Sequence, residues 1–306
     1  MNIQHTYSIV AISEDQSQFG VAVQSHWFGV GAVCPWILSG VGVIATQSMV
    51  EISYGPKGLA LMEEGLTAQK TLDILINEDN GRDLRQVAII DASGNKATHT
   101  GSRCVAEAGH QMGKNYSVQA NMMLKNTVWP AMAHAFESTS GSLAKQLFAA
   151  LKAAQAERGD IRGQQSAAML IAENISDDTP WDHLITNLRV DDHPNPLQEL
   201  ERLLNTEDAY RLMNEGDDLI ARGEAEQAQE KYRRAAKNAP GIEELPFWEA
   251  VTLADIGKVE QALPIFKRVF EKNPDWAILV QRLPQSGLLT DDPLIMDKIM
   301  SVLKER

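Results

Sequence analysis

Cysteine is scarce: Cys34 and Cys104 are the only two in 306 residues. Neither sits in a C-x-x-C pair, so a disulfide framework and a cysteine-rich zinc centre are excluded, while a single Cys34 to Cys104 bridge stays open. Positive charge is also short. Against 41 Asp and Glu there are 28 Lys and Arg, a formal charge of -13, which excludes a general basic field for phosphate backbones, and no nucleic acid partner is expected. From Gln16 to Val50 charge is missing altogether. That run is long enough for a membrane helix, but Gly20, Gly29, Gly31, Pro35, Gly40 and Gly42 punctuate it and Gln24, Ser25, His26 and Ser39 interrupt it. The short apolar pieces between glycines read as buried strands, with no membrane partner. No basic n-region followed by an apolar h-region opens the sequence, so a cytoplasmic location is expected. The G-x-S-x-G, H-E-x-x-H, Walker A and G-x-G-x-x-G signatures are absent too, and a hydrolase here would need a less advertised nucleophile.

What is present divides in two. Residues 1–205 carry 14 basic and 22 acidic side chains with 16 glycines, whereas residues 206–306 carry 14 and 19 with five glycines. The second segment is thus nearly twice as charged per residue, and two domains, 1–205 and 206–306, are expected. Within the second, Gly216, Leu219, Gly223, Ala228, Tyr232, Ala235 and Pro240 are echoed 34 residues later by Ala250, Leu253, Gly257, Ala262, Phe266, Val269 and Pro274. Period and residue types resemble tetratricopeptide repeats (TPR). Small Ala228 and Ala262 let helices approach, Tyr232 and Phe266 fill the groove, and each proline stops a helix. Two repeats are fewer than usually stand alone, so the array should lean on other parts of the chain or on another subunit, and a homo-oligomer is expected.

The first segment reads as α+β. Strands are predicted at 7–12, 19–24, 42–47, 87–91, 96–100, 166–172 and 184–190, with a Gly-Asn turn joining the fourth to the fifth. Helical spacing marks 58–64, 68–77, 128–136 and 143–156, and Pro196 opens a last helix through Leu204.

The runs His5 to Ala11, Gly20 to Ser25, Pro35-Trp36, Gly42 to Gln47, Tyr54-Gly55, His99 to Gly101, Cys104, Gln119 to Met122, Arg162 to Ser166 and Arg189 to His193 resemble an uncharacterised bacterial and archaeal family related to N-terminal-nucleophile (Ntn) hydrolases. The likeness covers roughly residues 5–204. It implies a four-layer αββα Ntn-hydrolase-like sandwich, here followed by a small all-α TPR-like domain. It also implies self-cleavage ahead of a Thr, Ser or Cys, whose exposed α-amine, with a pKa near ~7.7 to 8, then serves as base for its own side chain. Thr6 is the matching residue, which requires cleavage of His5-Thr6; the plainer reading is a β-branched residue opening a strand. Proteasome subunits place an acid and a lysine downstream of the nucleophile, whereas here no charged residue lies between Asp15 and Glu51.

Other polar residues carry two readings each. Ser25 and Gln24 lie where an adjacent strand reaches the head of the first, or form a polar strand face. Gln47 joins Gln24 as a substrate contact. His99 orients substrate or an oxyanion, or else satisfies a backbone carbonyl; Asn121 supplies an amide N–H to an oxyanion, or caps a turn. Arg162 and Arg189 clamp a carboxylate, or pair with Asp160, Asp191 or Asp192. Asp191-Asp192-His193 reads as a helix entry turn rather than a metal site, and no metal or cofactor is expected. Three functions follow: an Ntn-type amidohydrolase acting on a small amide or peptide-derived metabolite; a non-catalytic scaffold binding a protein or peptide through its repeats; or a sensor of a carboxylate-bearing ligand.

Overall fold

The computed structural model describes residues 3–4 and 6–303 and divides them into two units, residues 1–202 and 203–306. In the first unit the chain runs β1 (Ile3–Gln4), β2 (Thr6–Ile12), β3 (Gln18–Ser25), β4 (Pro35–Leu38), β5 (Gly42–Met49), α1 (Tyr54–Glu63), α2 (Ala68–Asn77), β6 (Arg85–Asp91), β7 (Lys96–Thr100), β8 (Gly109–Met112), β9 (Tyr116–Ala120), α3 (Val128–Ser138), α4 (Leu143–Ala156), β10 (Ser166–Glu173) and β11 (Leu184–Val190). Next come α5 (Pro196–Ala221), α6 (Ala225–Asn238), α7 (Glu244–Asp255), α8 (Val259–Lys272), α9 (Asp275–Val280) and α10 (Pro293–Ser301). The chain is mixed α and β, with two antiparallel sheets and ten α-helices among the described residues.

The first sheet has the order β1-β5-β6-β7, with β4 also on β5; the second runs β11-β10-β3-β2-β9-β8. Strand alternation explains their stacking. Val10 and Ile12 of β2, Phe19, Val21 and Val23 of β3, and Ala168 of β10 meet Val43 and Ala45 of β5 and Ala88 and Ile90 of β6 in one apolar cluster. That cluster is the floor between the sheets. On its outer face the first sheet packs Ile44, Val87 and Ile89 against Tyr54, Leu59 and Met62 of α1 and Leu72 and Leu75 of α2. The second sheet takes α3 and α4: a Cβ at Gly20 would lie 2.5 Å from Leu147, and Tyr116 packs on Phe136 at 4.8 Å.

Local chemistry sets the boundaries. Leu143, Leu147, Leu151 and Ala154 recur at helical spacing on the buried face of α4, and its N-cap Ser142 accepts from the Lys145 amide. Burying the leucines stabilises by about 1.5–3 kcal/mol each. The β6–β7 turn holds Gly94 at φ +77, a conformation that favours glycine. Asp91 secures it by accepting from the Ser93 and Asn95 amides at 3.0 Å.

In the second unit, Ala228, Tyr232 and Ala235 of α6 pack with Ala209, Leu212 and Met213 of α5. One repeat later, Ala262, Phe266 and Val269 of α8 pack with Phe247, Ala250 and Leu253 of α7. Gly223 and Gly257 end equivalent helices at φ +80 and +79, and the next amides, Glu224 and Lys258, return to Leu219 and Leu253 at 2.9 and 2.8 Å. These are αL caps of the Schellman type. The expectation that the last helix of the first segment stops near Leu204 is corrected: α5 continues to Ala221, because no proline or αL glycine intervenes before Gly223. No helix among the described residues is long and apolar enough to cross a membrane.

Candidate functional site

The space between the sheets changes character along β2. Val10 and Ile12 face the apolar cluster, but Thr6 and Ser8, on the same face by alternation, meet polar side chains, all fully buried. Thr6 opens the strand opposite Ser25 of β3, and its hydroxyl donates to Ser25 Oγ at 3.2 Å. Ser8 Oγ donates to Gln47 Oε1 at 2.6 Å and accepts from Gln119 Nε2 at 2.6 Å. Gln47 Nε2 reaches Gln86 Oε1 at 2.7 Å and the Thr6 carbonyl at 3.3 Å. Asn121 Nδ2 donates to Gln86 Oε1 at 2.9 Å and lies 3.4 Å from the same carbonyl, which also accepts the Asn121 backbone amide at 3.1 Å. Gln86 Nε2 is spent on Thr100 Oγ1 at 2.9 Å and the Ala120 carbonyl at 3.0 Å.

This is a network of hydroxyls and carboxamides drawn from both sheets, and none of its members is charged. A buried amide or hydroxyl left unpaired costs about 1–3 kcal/mol, so mutual satisfaction is what makes the cluster tolerable. Two residues beside it sit in the left-handed region: Ser48 at φ +74, after Gln47, and Met122 at φ +57, after Asn121. Each such non-glycine costs about 1–2 kcal/mol. Both amide side chains aimed at the Thr6 carbonyl are therefore followed by strained backbone, a pattern of functional sites.

The chemical capacity follows from that inventory. Nucleophile candidates are the hydroxyls of Thr6, Ser8 and Ser25. Neither thiol competes: burial pushes both Cys34 and Cys104 above the usual thiol range, disfavouring the thiolate. Both cysteines are free. Among the described residues, no histidine, lysine or carboxylate contacts the Thr6 hydroxyl; the imidazole at the network's edge, His110, lies 2.8 Å from Thr100 Oγ1. The network's donors can steady an oxygen, but activation of that hydroxyl has to come from elsewhere.

Of the residues singled out in the sequence, Thr6, Ser25, Gln47 and Asn121 converge here. Gln24 does not, because side chains alternate: it lies beside Ser25 but on the opposite face of β3, opposite Tyr7. Both polar atoms of its buried carboxamide lack a hydrogen-bond partner among the described residues. Tyr7 on that face donates to Gln155 at 3.1 Å, and burial, then the nearby Asp160 charge, raises its phenol far above 10.0. His99 is likewise apart. Its position on β7 matches that of Ala97, which packs toward α2, and its ring contacts the Arg82 carbonyl at 2.9 Å. Arg162 forks onto buried Asp160 at 3.0 and 2.7 Å. Arg189 contacts Asp191 at 2.8 Å. Both arginines thus hold carboxylates two residues away in the chain.

Ser8, Gln86 and Gln119 were missed by the sequence reading. A signal was available for two of them: Ser8 and Gln86 are polar residues on strand faces that continue as Val10 and Ile12 and as Ala88 and Ile90.

Residues 6–200 match the model of a family described as a family of unknown function, DUF1028. The crystal structure of protein SPO2555 from Silicibacter pomeroyi, described with that same family model, is similar at 31% identity and a TM-score of 0.56, over 65% of this chain and 88% of that one. No curated protein matches.

Proposed function

We propose, for a chain that belongs to the DUF1028 family of unknown function, that the first unit is an N-terminal-nucleophile-type amidohydrolase seen before cleavage. The observation that carries this reading is the fully buried Thr6 hydroxyl at the head of a strand, bonded to Ser25 and set among neutral amides. A free α-amine on Thr6 itself would supply the base. With a pKa near ~7.7 to 8 it is matched to neutral solution and sits on the same residue as the hydroxyl it activates. The layering of helices, sheet, sheet and helices supports an Ntn-hydrolase-like sandwich, in which β2 carries the nucleophile at its start.

The balanced step is as follows. Thr6 Oγ1 attacks the His5 carbonyl carbon, the C–N bond breaks with a proton passing to the Thr6 nitrogen, and water hydrolyses the ester to release the preceding segment as a carboxylate. Asn121 and Gln47, whose side-chain amides donate to the Thr6 carbonyl just past the cut bond, are assigned to turn to the oxyanion on the His5 oxygen as the step proceeds. In the cut form, the same hydroxyl would attack a small amide or peptide-derived substrate.

Intact-mass measurement of purified protein, paired with an amide-hydrolysis screen, tests this. The expected result is an active chain beginning at Thr6, with Thr6→Ala both uncut and slower by more than about 10³-fold. Turnover by a chain that keeps the residues ahead of Thr6, or activity unchanged in Thr6→Ala, overturns it. The second unit is read as TPR-like, supported by the matching αL caps at Gly223 and Gly257 and the alanine–aromatic packing repeated 34 residues on.

A further inference from the structure

The segment ahead of Thr6 is itself held as a strand. Ile3 and Gln4 pair antiparallel with Met49 and Ser48 of β5, whereas Thr6 pairs with Ser25 in the other sheet. The chain therefore crosses between the sheets just where the proposed cut falls. The strip that receives β1 does not depend on β1 for its shape. Ser48 is set in the left-handed region at φ +74, Ser48 pairs with Arg85 on its other side, and Arg85 Nη1 donates to the Met49 carbonyl at 2.6 Å. Arg85 is fixed in turn by Asp79 at 2.6 Å. Farther up the same side of β5, β4 covers Gly42 to Ala45.

In self-cleavage the segment ahead of Thr6 is the acyl half of the first amide cut. Any later substrate must present its own acyl half to the same hydroxyl along the same approach. We infer that the Ser48–Met49 strip is the acyl-side subsite of the cut protein and takes an extended peptide backbone by strand addition. It holds the second and third residues ahead of the cut bond, where Gln4 and Ile3 now lie. The substrates are accordingly short peptides or peptidyl amides rather than simple carboxamides. This inference rests on the reading of Thr6 as nucleophile.

The test uses the chain fused behind a removable partner and cut after folding to leave Thr6 first. Isothermal titration measures binding of the pentapeptide Met-Asn-Ile-Gln-His, the sequence of residues 1–5, and of the same peptide N-methylated at Ile and Gln. The expected result is binding of the plain peptide to the cut chain only, weakened at least about tenfold by N-methylation, which removes backbone donors. No binding, equal binding of the methylated peptide, or equal binding to the uncut chain overturns the subsite. A cut chain that hydrolyses amides yet ignores these differences overturns the subsite and leaves the nucleophile standing. One that selects the plain peptide and hydrolyses nothing supports the subsite and overturns the nucleophile. Should the cut chain not stay folded, the uncut chain with Ile3→Pro and Gln4→Pro replaces it: uptake of the plain peptide there supports the subsite, and its absence overturns it.

Discussion

Replacing Gln86 by leucine removes the hub of the buried network while keeping the side-chain size. Two amide donors, Gln47 Nε2 at 2.7 Å and Asn121 Nδ2 at 2.9 Å, lose their shared acceptor. Other acceptors are longer, the Thr6 carbonyl at 3.3 and 3.4 Å and, for Gln47, the Gln119 carbonyl at 3.4 Å, and compensate only in part. At about 1–3 kcal/mol per stranded donor the gross cost is about 2–6 kcal/mol, and the apolar gain of leucine offsets roughly 1 kcal/mol. A net loss of about 1–5 kcal/mol is expected, a sizeable share of the stability of an ordinary domain. Hydrogen exchange of the β2 and β9 amides at neutral pH reads this locally, with thermal melting of the whole chain beside it. The exposed Gln69→Leu, whose partner is Asp73 in solvent, serves as control and should stay within about 0.5 kcal/mol of the parent. A Gln86→Leu loss below about 1 kcal/mol would refute the claim that these amides depend on one another.

Two further outcomes are expected. Gly216→Ala should gain about 1 kcal/mol of helix propensity but place a Cβ 2.6 Å from the Tyr232 ring, which is buried and donates to Asp217 at 2.7 Å. The clash wins, and the helical unit should lose about 1–2 kcal/mol by thermal unfolding. Hydrogen bonds from Arg85 hold the Asp79 carboxyl below its ordinary 3.8. Its contribution is therefore complete above the unfolded value of about 4 and fades as pH falls through the folded one, so Asp79→Asn should flatten the acid limb of a melting-temperature profile. An unchanged limb would show that this pair carries no pH-dependent stability.

Much of the fold was readable because strands and helices advertised their period. Lys96–Thr100, Leu184–Val190, Ala68–Asn77 and Leu143–Ala156 have the bounds read from sequence. Strand β9 was not identified although Tyr116, Val118 and Ala120 alternate with polar Ser117 and Gln119, because five residues give a short window for that alternation. Strand β8 was hidden by its exposure. At the site, Thr6, Ser25, Gln47 and Asn121 could be named from sequence, but not their partners. Gln86 stands alone in an apolar strand, and only pairing between sheets shows why an amide is needed there. For Gln24 and Ser25, neighbours in sequence, one step of the pleat decides which one shares the interior with Thr6. Both Arg162 and Arg189 sit two residues from an aspartate and pair with it.

The neutrality of the Thr6 surroundings has a kinetic corollary. Thr6, Ser8, Ser25, Gln47, Gln86, Gln119 and Asn121 neither gain nor lose protons across the range in which enzymes are assayed. They form a silent backdrop, against which one newly exposed amine would write a single-proton titration curve in catalytic rate.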